Sequence, residues 1–503
     1  MICGGNTGRP TGSTIFTDTI EMRILRLIFT IAASATAVWA CSNDRICTPE
    51  TAGSIYPDYM DVTVPPNIAP LNFCYTGGNA GNAVTTFNWD GGSIAIKGAK
   101  VSWNIRRWRR MLAEARGGTI TVHSSVLDTT WTIKVSEDEI DYGLDYRLIE
   151  PGYEVHSRMG IYERDLSCFK ERALVENTGF SGCVNCHSYN RGDPSAFSLH
   201  IRGPHGATLL RRDGRIEAFN TKTDSTIGFC VYPYWHPSGK YIAYSSNATR
   251  QGFHVGKDKL IEVFDNASDI QVYDIERNEL IIAEQVMADS LWETFPSFSP
   301  DGMSLYFCRA SRKNIPEDVV NIRYNLCRVS FDPQTGSIGD DVEVLIDAES
   351  EGRSISFPRP SYDGKFIMYT LSDYGQFSIW HHEADLWLLD LATGERRRLD
   401  AVNSEDTESY HNFSSSSRWF VFSSRRDDGL FTRPYFAHID GEGKVSKPFM
   451  LPQKDPAVFY RDRFLSYNIP EFVTAPVKLD KVRADKLINS DRRKDFRTRQ
   501  NGR

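Results

Sequence analysis

No apolar stretch in this chain of 503 residues reaches the roughly 18 residues that a membrane-spanning helix needs. Charge of one sign is lacking too: 58 Lys and Arg stand against 65 Asp and Glu, a net charge of -7. That balance excludes the general basic footprint of a nucleic-acid binder. No Gly-x-Ser-x-Gly elbow occurs, since Gly179-Phe180-Ser181-Gly182-Cys183 fails at its last place. Neither a Walker loop nor a dinucleotide-binding glycine fingerprint is present, so the chemistries tied to those motifs are set aside. The ten cysteines lack framework spacing, which argues against a disulfide-built scaffold. Cys-x-x-Cys occurs once, so a four-cysteine zinc site has no second half.

What is there is Cys183-Val184-Asn185-Cys186-His187. Cys-x-x-Cys-His is the attachment signature of haem c. Two thiols add across the porphyrin vinyl groups, and the next residue supplies an axial nitrogen. The expectation is a covalent haem held by Cys183 and Cys186, with His187 on the iron. His200 and then Met159 rank first as the sixth ligand, ahead of His156 and His205. A zinc finger would use His200 and His205, but Gly203-Pro204 between them breaks the helix a finger requires. A thioredoxin-like dithiol would want a βαβ context, which the surroundings do not offer.

The compartment follows from the start of the chain. Met22-Arg23-Ile24-Leu25-Arg26 precedes the apolar run 27–40, a positive n-region and h-region of an export signal. Val38-Trp39-Ala40-Cys41 resembles a bacterial lipobox with Cys41 as the lipidated residue; Trp39 departs from the small residue usual there. Residues 1–21 read as an over-extended start, so 1–41 is start plus signal. The body is expected in the periplasm or cell envelope, lipid-anchored to a bacterial membrane. Covalent haem attachment and export support each other, because an exported dithiol left free tends to oxidise. Cys47, Cys74, Cys168, Cys230, Cys308 and Cys327 read as small buried hydrophobes, with Cys308 and Cys327 as the first pair to test for a disulfide.

Short β runs between residues 58 and 140 predict a sandwich-like domain. One segment differs: Ile105, Trp108, Leu112 and Ala115 recur at helical spacing, with Arg106, Arg107, Arg109 and Arg110 between them. Gly117-Gly118 ends it. Its arginines could meet lipid headgroups or haem propionates, but solvated arginines over a capping helix are the plainer reading. Residues 141–197 read as a cytochrome-like haem-binding segment, with a helical turn or two over 169–177.

From residue 198 to 475 the chain repeats. VYPYWHPSGKYIAYSSN from Val231, TFPSFSPDGMSLYFCRA from Thr294, SFPRPSYDGKFIMYTLS from Ser356 and SYHNFSSSSRWFVFSSR from Ser409 share one plan. Each is a short strand, a turn, then an alternating strand. A second hairpin, as in Ala384-Asp385-Leu386-Trp387-Leu388-Leu389-Asp390-Leu391-Ala392-Thr393-Gly394, completes a four-stranded unit. On these residues the chain resembles the TolB-type, WD-like propeller repeat family. The resemblance implies a β-propeller and, more often than not, a binding platform. Partial units at 207–219 and 464–467 predict six blades closed by strands from both ends. His381-His382-Glu383 with Asp385 carries metal-capable side chains, but reads as a solvated loop. The basic tail 476–503 reads as a frayed helix or disorder.

Three functions remain. The first is an exported c-type haem protein in electron transfer, with a propeller that docks a redox partner. The alternative is a non-haem, TolB-like propeller scaffold that binds an envelope protein or peptide. The second alternative is a haem-propeller reductase, although only one haem motif exists. Electron carrier or scaffold is favoured over enzyme.

Overall fold

Alternating strands with Gly- or Ser-ended turns dominate the chain, and they fold accordingly. The computed structural model describes residues 53–77, 80–151, 158–254 and 259–502. The export signal, Cys41, Cys47, Tyr153 and His156 lie outside the described residues. The chain is mainly β.

Six antiparallel sheets share one plan, each running outward from an inner strand through hairpins. Sheet A begins with inner strand Cys183–Asn190 and continues through Asp193–Arg202, Ala207–Arg212 and Arg215–Asn220. Sheet B has inner strand Cys230–Trp235, then the long pair Tyr241–Phe253 and Ile261–Asp274, then Glu279–Ile282. Sheets C, D and E span residues 291–346, 354–398 and 408–450, with inner strands Leu291–Phe298, Ser354–Pro360 and Glu408–Phe413. Sheet F is assembled from distant segments. Its inner strand Ser466–Val473 pairs with Gly143–Ile149, which is followed by Gly160–Asp165 and Glu171–Glu176. The inner strands neighbour one another in the cyclic order A to F, and F lies against A.

The turn after each inner strand explains the repeated sequence. Gly302 and Gly364 donate their N–H groups to Ser299 O and Ser361 O, at 2.9 Å each. Both glycines sit at φ near +75°, where a side chain is strained. In sheet E the glycine is missing, and Ser417 takes its place at φ 58° with the same bond to Ser414 O. That substitution is why the fourth repeat lacks its turn signature.

Before the ring, a five-stranded sheet and a three-stranded sheet occupy residues 54–135. The expected helix runs Ile105–Glu114, capped by Asn104, and buries Trp108, Met111 and Leu112. Its arginines stay local: Arg110 pairs with Glu114 at 2.7 Å and Arg109 donates to Ser167 O at 3.0 Å.

Four expectations are corrected. Residues 141–197 are no helical insert. They supply the outer strands of sheet F and the inner strand of sheet A, and residues 171–176 form a strand. The ring therefore begins near Gly143 rather than at 198. The tail is ordered: after helix Lys481–Asn489, Lys494–Asp495 and Arg497–Gln500 add parallel edge strands to sheets A and B. Each lays a short charged strand along an otherwise open edge. Finally, Cys308 and Cys327 are free thiols. Cys308 pairs with Leu326 and Cys327 with Phe307, so strand alternation sends the two sulfurs to opposite faces. Cys74 is disulfide-bonded.

Closure depends on the strand from the C-terminal side. Phe472 is 3% exposed and packs on Phe436 at 6.0 Å. Phe472→Ala is expected to lower the unfolding free energy by about 3–5 kcal/mol. Val344→Ala, on an exposed outer strand, is expected to change it by less than about 0.5 kcal/mol. Urea denaturation measures both.

Candidate functional site

Each inner strand carries one extra residue relative to its neighbour, a β-bulge. At each bulge one residue has positive φ: Cys186, Tyr232, Phe295, Phe357, Tyr410 and Ile469, between 24° and 52°. A bulge re-aims its side chain. Here the rings converge, with Tyr232 and Phe295 at 4.7 Å, Phe295 and Phe357 at 4.1 Å, and Phe357 and Tyr410 at 5.0 Å between centroids. These residues form a waist across the middle of the ring.

The Cys-x-x-Cys-His stretch is sheet A's version of this repeat. Cys186 occupies the waist position, and His187 stands where Pro233, Pro296, Pro358 and Pro470 stand in other sheets. His411 takes that place in sheet E. The pairing register then separates the motif. Cys183 pairs with Arg202 and Asn185 with His200, on one face of sheet A. His187 pairs with Leu199, on the other face. There it is 4% exposed, beside Tyr189 at 6.3 Å, with both ring nitrogens unpartnered. Burial pushes its pKa down to about 4. His187 is thus a neutral imidazole.

A haem c needs two sulfurs at one macrocycle edge and the imidazole beneath the iron. The three side chains as folded do not fit that group, because Cys183 and His187 lie on opposite faces. The expected sixth ligands do not repair this. His200 lies on the face away from His187, bonded to Thr208 Oγ1 at 3.0 Å, and burial holds its pKa near about 3. Met159 is buried, and its sulfur accepts the Val184 N–H at 3.3 Å. His205 pairs with Asp491 at 2.8 Å. Among the described residues, no three His, Cys, Asp or Glu side chains gather as a metal-ligand set.

What the inner strands do build is a cavity of about 370 Å³ at the end of the ring where they begin. Cys183, Asn185, Tyr232, Phe357, Tyr410 and Ile469 reach it from the waist side. Phe377, Ile379 and Trp380 wall one side, and Thr249, Gln251, Phe253, Ile261 and Val263 of the long hairpin wall another. Three arginines line it, Arg147, Arg202 and Arg425, against one carboxylate, Glu150. Arg425 is 2% exposed, with its guanidinium against the Trp380 ring. Burial pulls its pKa down to about 9, with Asp406 opposing. At neutral pH it is still a buried cation. The other mouth, beyond the waist, narrows to about 20 Å³.

The hairpin is held over the cavity by a clasp that sequence spacing presented as a solvated loop. His381 is fully buried. Its Nε2 faces Glu262 Oε1 at 3.3 Å and its Nδ1 faces Glu383 Oε1 at 3.1 Å. Tyr374 donates to Glu262 Oε2 at 2.9 Å, and Lys259 and His254 approach Glu383 and Glu262 at 3.9 and 3.8 Å. Burial alone would depress the His381 pKa, but the hydrogen bonds it donates to the Glu262 and Glu383 carboxylates raise it above its ordinary value. Glu383 is held down to about 2 by His381, against the effect of burial. Spacing alone could not find this contact, because Glu262 lies 119 residues away.

No family model matches the chain. No curated protein matches it. Solved structures similar to it include TolB from Acinetobacter baumannii, with 13% identity over 70% of this chain and 78% of that one, TM-score 0.39. The periplasmic gluconolactonase of Pseudomonas aeruginosa shares 13% identity over 78% of this chain and all of that one, TM-score 0.38. Prolyl oligopeptidase B from Galerina marginata shares 10% identity over 75% of this chain and 54% of that one, TM-score 0.36.

Two outcomes are expected from this geometry. Exported from a host that matures a control cytochrome, the chain runs as a colourless band under peroxidase staining after denaturation. A coloured band that disappears in the Cys183→Ser, Cys186→Ser double variant would show that the strand rearranges around a macrocycle. For the clasp, a raised folded-state pKa gives stability that is fully present below the unfolded value of about 6.5. It is lost as pH rises through the folded value. Hydrogen exchange in the long hairpin should quicken, relative to the rest of sheet B, as pH rises above the ordinary imidazole value of about 6.5. His381→Gln should remove that dependence.

Proposed function

We propose that the six sheets are blades of one propeller, closed by Ser466–Val473, and that the protein is an exported scaffold which docks an envelope protein or peptide. The observation that carries this reading is the long hairpin of sheet B. Its strands run 13 and 14 residues, against 6 to 8 for the inner strands. The added length ends in Phe253, 59% exposed at the rim of the cavity. An exposed apolar side chain beside a walled cavity and a fixed hairpin is the anatomy of a binding end.

The cell-envelope placement is part of the same proposal. The export signal before Cys41 supports it, with Cys41 as the lipid anchor. So does the disulfide at Cys74, since disulfides persist in oxidising compartments. Electron transfer and haem reduction have no arrangement of Cys183, Cys186 and His187 to carry them, and no step is assigned to them.

The test is site-specific photocrosslinking in the native envelope. Benzoylphenylalanine at Phe253 should give a discrete adduct band, and the same residue at Val344 on the outer strand should give none. Equal yields at both positions, or none at either, remove the docking reading.

A further inference from the structure

We infer that the cavity at the Cys183 end of the ring is a binding site for a carboxylate carried on an aromatic body, with Arg425 as its anion anchor. This rests on reading that end as the binding end. The first observation is Arg425 itself. It is 2% exposed, its Nε is buried without a partner, and its guanidinium makes no ion pair within 4.0 Å among the described residues. Asp406 and Asp428 are the carboxylates that act on it, from beyond that distance. Asp406 is instead engaged by His382 at 3.1 Å, and Asp428 lies 3.7 Å from Arg433. A buried cation without a counter-ion is costly. It is retained where its partner arrives from outside.

The second observation is the company it keeps. Arg147 and Arg202 line the same cavity. Arg147 is engaged by Asn185 Oδ1 at 2.6 Å, but its Nε is also buried and unpartnered. The cavity is therefore positive, which selects an anion. A guanidinium is a planar fork that matches a carboxylate through two parallel hydrogen bonds.

The third observation selects the body of the ligand. The guanidinium lies on Trp380, and Phe357, Phe377, Tyr410 and Tyr232 supply flat apolar walls. A volume of about 370 Å³ suits a small molecule or the last residue of a peptide rather than a folded element.

The shared chemistry has two sources, a free aromatic acid or the terminal carboxylate of a docked peptide. Calorimetric titration of the full chain distinguishes them with three probes: 2-naphthoate, its uncharged counterpart 2-naphthamide, and N-acetyl-Ala-Phe with a free carboxylate. Naphthoate should bind at least about tenfold tighter than the amide, the loss expected when a charged hydrogen-bonding pair is removed. A tighter acetyl dipeptide assigns the peptide source, and a tighter naphthoate the free acid. Arg425→Met should weaken both acids about tenfold or more and leave the amide unchanged. Its melting temperature should hold or rise, because an unpaired buried charge has gone. Should that variant fail to fold, Arg202→Gln, on an exposed side chain, should still weaken naphthoate at least threefold by the same loss of an anion partner. Equal binding of acid and amide, unchanged binding in Arg425→Met, or no heat with either acid at millimolar concentration overturns the inference. That failure with the Phe253 adduct intact leaves the docking end standing. Loss of the adduct as well removes the reading of this end altogether.

Discussion

One left-handed residue in each inner strand is the constraint on which the architecture turns. A flat strand would keep its side chains on the two faces of its own sheet. The bulge at Cys186, Tyr232, Phe295, Phe357, Tyr410 and Ile469 tips one side chain per strand toward the middle of the ring. None of the six is glycine, so each position carries strain of about 1 kcal/mol or more. Edge-to-face and tilted aromatic contacts offset it, each pair contributing about 0.5–1.5 kcal/mol beyond the area it buries. The waist that results stands between the larger, arginine-lined cavity and a smaller pocket at the other end of the inner strands.

That same bulge decides the fate of the most conspicuous motif. Cys186 is the one small residue in the waist, and it is 2% exposed. Burial pushes its thiol pKa up, which leaves it protonated and unreactive. Cys183, three residues earlier, faces the cavity instead. His187 goes behind the sheet into an apolar contact. Residues that read as one chemical unit in the chain are distributed by a single extra residue over three environments.

Charge is placed with the same economy. His381 sits between Glu262 and Glu383 and ties the long hairpin to sheet D, alongside apolar packing of Phe264 and Ile261 in one cluster with Ile379 and Trp380. Arg425 has no such partner in the described residues. A buried imidazole with two carboxylate partners and a buried guanidinium with none thus stand within the support and lining of one cavity.

The repeats were legible because their signal is local. Pro300-Asp301-Gly302 and its relatives encode turns, and alternation encodes strands, without reference to the rest of the chain. The N-terminal helix could be read because Trp108 and Leu112 share a face at helical spacing. Sheet A's repeat was hidden because Asn185-Cys186-His187-Ser188-Tyr189 keeps the shape of Val231-Tyr232-Pro233-Tyr234-Trp235 while changing its letters. Sheet F was half legible: a closing strand is expected near 464–467, but its outer strands at residues 143–176 stand at the opposite end of the repeats and read as another segment. The clasp on His381, the unpartnered Arg425 and the ordered tail likewise depend on residues far away in the chain. The amino-acid sequence by itself determined where the strands and turns of the four clear repeats lie. Only the tertiary structure decided which side chains meet across the cavity, because in a ring of sheets such contacts join strands that are far apart in the sequence, as Glu262 and His381 are.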